Sequence, residues 1–119
     1  MWELALFVIL GIIIDVITGL IYAFFTHNIN STKMRQGGLH KVSEILALVF
    51  TAYADYTLVQ ININIGFSLF NVACTYLICM ECISIIENLG KMNPNALPSK
   101  ITKFFEKIRK EIEEWKFTN

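Results

Sequence analysis

The chain has 119 residues, 55% of them hydrophobic and only 17% charged, and its ten basic and ten acidic side chains cancel to zero. This length supports one compact unit at most, and the charge balance provides no general attraction to nucleic acid. The hydrophobicity excludes a disordered chain, and the confinement of all three cysteines to positions 74–82 excludes a disulfide scaffold.

The first apolar block covers residues 4–26. As a helix it spans about 34 Å, enough for a bilayer core of about 30 Å. It lacks a basic leader and a small-residue cleavage site, so it reads as a retained helix rather than a signal peptide. Residues 27–41 are polar and basic and read as a loop, with Gly37-Gly38 as a turn signal. Residues 42–60 suit a second span, residues 61–64 a tight polar break, and residues 65–87 a third span. One continuous helix over 42–87 would be about 69 Å long, more than twice the hydrocarbon thickness, so a hairpin is expected. Gly90 and Pro94 are read as stops, and Pro98-Ser99 as the opening of a fourth helix. In that helix Ile101, Phe104, Phe105, Ile108, Ile112 and Trp115 recur with helical spacing, opposite a face of lysines and glutamates. The expected fold is an all-α membrane protein: a transmembrane domain over residues 1–90 and a cytoplasmic amphipathic helical tail over 91–119.

The cations fix the expected orientation. Lys33, Arg35 and Lys41 lie in the first loop, the other seven lie from Lys91 onward, and no other segment carries any. The positive-inside rule puts loop and tail in the cytoplasm and the N-terminus outside, in a multi-pass membrane protein.

The spans are not uniformly apolar. Asp15 sits mid-span in the first helix, Asp55 toward the outer end of the second, and Glu81 in the inner half of the third. No Lys or Arg falls within these expected spans, and a central carboxylate costs about 2.5–3.5 kcal/mol to insert. Gly11, Asp15, Gly19 and Ala23 follow one another at i+4, with Thr18 alongside, making a seam of small residues around a carboxylate. Ala47, Thr51 and Asp55 form a similar line, and Cys74, Glu81 and Asn88 recur every seven residues with Ser84 nearby. The seam residues, with Ala47 and Thr51, are candidates for helix packing or oligomerisation. Asp15, Asp55, Asn71, Glu81, Ser84 and Asn88 are the intramembrane polar set that could line a lumen. Packing inside one chain and self-association around a water-filled lesion both fit these stripes.

Other signals carry less. Cys79-x-x-Cys82 has metal-ligand spacing but lies in an apolar helix, where packing is the expected role. His27 and His40 have no surrounding carboxylate cluster in the loop reading. No phosphate loop, nucleophile elbow or acid–base pair is visible, so neither an enzyme nor a cofactor or metal is expected.

Asp15-Val16-Ile17-Thr18-Gly19 resembles the D-x-x-T-G element in the first helix of a family of phage holins, which includes holin-like proteins associated with secretion of large clostridial toxins. Ser31-Thr32-Lys33 and Gly38-Leu39-His40-Lys41 resemble its basic loop. The stretch from Glu81 to Lys91 resembles its E-x-x-S-I-x-E-N-x-G-K element, while Asn93-Pro94-Asn95 stands where a glycine-led turn is usual. The resemblance implies a homo-oligomer in the lipid bilayer that forms a lesion, with an endolysin or a toxin as cargo and an antiholin as a further partner. Two alternatives are kept: a small oligomeric ion- or proton-coupled transporter using Glu81 or Asp55, and a non-conducting regulator of the antiholin type. For the tail, a helix lying in the membrane interface competes with a collar between subunits. The four glutamates among its lysines favour the collar.

Overall fold

In the computed structural model, which describes residues 2–27 and 29–118, the chain is all-helical: α1 (Trp2–Phe25), α2 (Ser31–Gln60), α3 (Leu69–Met92) and α4 (Ser99–Thr118). The first three are long and apolar enough to cross a membrane. α3 is the central element, with α1, α2 and α4 all packed against it. Pairings of Gly11 with Glu81 and of Asp15 with Asn88 show α1 running parallel to α3. Pairings of Lys41 with Glu81 and of Asp55 with Ser68 show α2 running antiparallel.

The second helix begins eleven residues earlier than the polarity of its first third suggests. Asn30 sits in an extended conformation, and its Oδ1 accepts the Thr32 and Lys33 amides at 2.8 and 3.4 Å. These bonds satisfy donors that a helix start leaves open. The expected loop over 27–41 is therefore corrected to a short connection over residues 26–30. Lys33, Arg35 and Lys41 all lie on α2. The Gly37-Gly38 pair is helical as well. Each glycine weakens a helix by about 1 kcal/mol relative to alanine, but a well-capped 30-residue helix carries both.

The connection between α2 and α3 is longer than the expected break. It covers residues 61–68, with Asn62 and Gly66 at positive φ. Ser68 caps α3, its Oγ accepting the Asn71 amide at 3.2 Å. Gly90 does not stop α3; the helix continues to Met92, Asn93 is extended, and Pro94 follows.

The apolar core is small: Val8, Leu48, Cys74 and Leu77, with Leu4, Ile12 and Phe70 packed around it. Large apolar side chains such as Phe7, Ile17, Phe24, Leu46, Phe50 and Val59 remain exposed. For helices of this length, that outward-facing apolar shell suits lipid rather than water.

α4 folds back along α3 of the same chain. Arg109 pairs with Glu87, and Lys116 Nζ lies 5.6 Å from the centre of the Tyr76 ring. Phe105, Ile108 and Ile112 are half-buried, whereas Phe104 and Trp115 stay exposed.

Candidate functional site

A polar cluster joins α1, α2 and α3. The long α2 carries Lys41 inward, ten residues from its start, opposite Asp15, which lies ten residues from the end of α1. At about 1.5 Å per residue, both helices extend about 15 Å from the cluster toward the same end of the molecule. Lys41 Nζ donates to Asp15 Oδ2 at 2.6 Å and to Glu81 Oε1 and Oε2 at 2.7 and 2.8 Å. One ammonium group thus connects all three helices. The expectation that no Lys or Arg could serve the intramembrane carboxylates is corrected here. It depended on reading Lys41 as part of a loop.

The remaining members are equally specific. Asn88 Nδ2 donates to Asp15 Oδ1 at 2.8 Å, to the Asp15 carbonyl at 3.1 Å and to Thr18 Oγ1 at 3.0 Å. Thr18 Oγ1 donates back to the Ile14 and Asp15 carbonyls, at 2.9 and 3.0 Å. Glu44, one turn beyond Lys41, is 7% exposed; its Oε1 lies 2.9 Å from His40 Nε2 and 3.9 Å from Lys41 Nζ. Glu81 is 1% exposed, the most deeply buried charged residue of the cluster.

Glycines make the approach possible. A Cβ on Gly11 would stand 3.1 Å from Glu81 Cβ, so the absence of a side chain there lets α1 close over the buried carboxylate. A Cβ on Gly19 would meet Asn88 Nδ2 at 3.6 Å, an ordinary contact. The Gly11, Asp15 and Gly19 face of α1 therefore lies against α3 of the same chain, and Ala23, further along, is half-buried.

The other singled-out residues lie elsewhere. Asp55 caps the start of α3: it accepts from Ser68 Oγ at 2.6 Å and from the Leu69 and Phe70 amides at 2.8 and 3.0 Å. Asn71 is half-buried, with its Oδ1 shielded from solvent. Thr51 donates to the Leu48 carbonyl at 3.0 Å, Ala47 is exposed, and Ser84 is half-buried. Lys33 and Arg35 are exposed on the first turns of α2. The three cysteines are free thiols on α3, and among the described residues no three His, Cys, Asp or Glu side chains converge as a metal cage.

Reasoning from the sequence missed Lys41, Glu44 and His40 as members of this cluster. The available signal was the Asn30-Ser31-Thr32 helix start, which would have put Lys41 on a helix with His40 and Glu44 at i,i+4.

A family model for the bacteriophage holin family matches residues 1–110. An uncharacterized protein of Halalkalibacterium halodurans is 34% identical over 92 residues, a match covering 76% of this chain and 68% of the relative. No solved structure matches. With three apolar spans around a shared polar cluster and a family match over nearly its whole length, the chain is an integral membrane protein that belongs to the bacteriophage holin family.

Proposed function

We propose that this protein is a holin that self-associates in the cytoplasmic membrane, N-terminus outside and C-terminus inside, and opens a lesion through which an endolysin or a large toxin leaves. Family membership supports a holin-type activity. The observation that carries the lesion is a mismatch at one end of the helices. Beyond the cluster, α1 runs through exposed Val16, Ile17, Leu20, Ile21, Phe24 and Phe25. Over the same about 15 Å, α2 presents residues 31–40, all exposed, including Lys33, Arg35, Gln36 and His40. A lone chain in lipid leaves one of these two surfaces in the wrong medium. A ring that turns α1 outward and the start of α2 toward a shared aqueous space satisfies both.

The cluster of Asp15, Lys41 and Glu81 favours a second reading, an ion- or proton-coupled transporter, because ionisable groups between membrane helices commonly mark ion paths. Inducible expression in a bacterium, with and without a coexpressed endolysin, separates the readings. A holin depolarises the membrane abruptly and lyses the cells when endolysin is present. Altered ion tolerance without depolarisation identifies a transporter, and silence identifies an antiholin-type regulator. A phosphatase reporter fused after Asn119 is expected to stay inactive; activity outside the cell overturns the orientation.

A further inference from the structure

Three helices reach one level at the end of the molecule where α1 stops and α2 starts. Phe25, Ser31 and Lys91 each lie ten residues from the cluster residues Asp15, Lys41 and Glu81 of the same helix, about 15 Å beyond the cluster. This end is basic and has no acid to balance it. Residues 16–43 and 88–105 contain no Asp or Glu, and beside Lys41 of the cluster they place Lys33, Arg35, Lys91, Lys100 and Lys103 here. Among the described residues no carboxylate pairs with Lys91.

A groove of about 430 Å³ opens at the same end, between α1 and α3. Its apolar walls are Ile21, Phe25 and Met92, all exposed, and Lys91 and Thr26 bring the polar groups. Lys91 Nζ lies 5.9 Å from the centre of the Tyr22 ring. Such a contact positions an ammonium without neutralising it, so its N–H donors and its charge stay available. The apolar wall does not end at the groove. Phe25, Ile21, Ile17 and Ile14 follow one another back along α1 at helical spacing, each at least 42% exposed. They form a track about 16 Å long, close to half of a bilayer core about 30 Å thick.

We propose that this groove binds one anionic phospholipid, its phosphate held by Lys91 at the mouth and an acyl chain laid along Ile21, Ile17 and Ile14 of α1. Charge and shape choose this occupant together. A free phosphate ion leaves the apolar track uncovered. A second copy inserted the same way round brings the same five cations to the same level, where like charges repel. A zwitterionic lipid brings its own cation beside Lys91, whereas a headgroup with net negative charge meets the basic end without one. The lipid site belongs to the folded chain and exists whether or not the assembled protein opens a lesion.

The test is native mass spectrometry of the full chain released from detergent micelles, titrated with phosphatidylglycerol or phosphatidylcholine, and reading the affinity for the first lipid bound per chain. Phosphatidylglycerol is expected to bind more tightly. Lys91→Gln should weaken it about fivefold and leave phosphatidylcholine unchanged, while Lys107→Gln, outside the groove, should change neither. Lys91 is exposed, so its substitution should keep the helix content seen by circular dichroism; if it does not, the preference of the unsubstituted chain between the two lipids decides alone. Equal affinity for the two lipids overturns the proposal, and so does an equal loss in Lys91→Gln and Lys107→Gln, which makes the attraction a property of the whole basic surface. Displacement of the lipid by millimolar inorganic phosphate also overturns it and assigns the site to the free ion.

Discussion

Asp15 and Asp55 look alike in the sequence, each a lone carboxylate in an apolar helix, yet the fold provides for them in different ways. Asp55 is satisfied locally. It lies in the last turns of α2 and accepts the Ser68 hydroxyl and the Leu69 and Phe70 amides at the start of α3. These are donors that any helix start leaves open, and the helix dipole favours a negative charge there. Asp15 is satisfied only by residues remote in the chain, Lys41 on α2 and Asn88 on α3. The comparison teaches that a carboxylate within a membrane segment is not by itself a functional signal. What matters is whether its partners come from the neighbouring turn or from other helices.

The two provisions fail differently, and the largest difference concerns the cation. Lys41→Met leaves Asp15 and Glu81 without their shared ammonium, and stranding a buried charge costs about 3–5 kcal/mol. Unfolding in mixed detergent micelles, followed by circular dichroism, should show a loss of that order. Adding Asp15→Asn and Glu81→Gln to Lys41→Met should recover most of it. A stability unchanged by Lys41→Met would mean that the cluster is held by something other than this ion pair.

A smaller effect is expected from the α1–α3 approach. Gly11→Leu puts its Cβ 3.1 Å from Glu81 Cβ and leaves the rest of the side chain no room, and overpacking of this kind costs about 1–3 kcal/mol. Gly19→Ala meets only the end of the Asn88 side chain, at 3.6 Å, and should cost less. The same micelle titration ranks the two substitutions. Equal effects would show that α1 does not close on α3 at Gly11.

The smallest effect belongs to the local carboxylate. Asp55→Ala removes a helix cap, a loss of about 0.5–2 kcal/mol, while Asp55→Asn keeps an acceptor and should retain much of the stability. Because Asp55 and Lys41 share no partner, their substitutions should add. A coupling between them would show that the two ends of α2 respond as one unit.

Much of this architecture was legible from the residues. Apolar runs of bilayer length marked α1 and α3, and the spacing of Cys74, Glu81 and Asn88 marked one side of α3, where Glu81 and Asn88 meet α1. The small-residue seam at Gly11 and Gly19 marked the other half of that contact. The beginning of α2 was not legible from composition, because polar residues and Gly37-Gly38 read as a loop. The structure is set there by the Asn30 cap, a local hydrogen-bond pattern that outweighs the glycines. Placing Lys41 in a loop hid the ion cluster, since a helical register is needed to aim it between Asp15 and Glu81. The return of α4 along α3 was hidden for another reason. An apolar stripe defines a face that will pack but not its partner, and the pairing of Arg109 with Glu87 joins positions 22 residues apart.

One ammonium group ties the three membrane helices together, and everything above about the cluster depends on it. Solid-state NMR of the full chain in hydrated bilayers tests this directly, by dipolar recoupling between 15N at lysine Nζ and 13C in the Asp and Glu carboxyl groups. Strong coupling is predicted from Lys41 to both Asp15 and Glu81, abolished by Lys41→Met, with no comparable signal from Lys33. A Lys41 nitrogen that couples to neither carboxylate would contradict it.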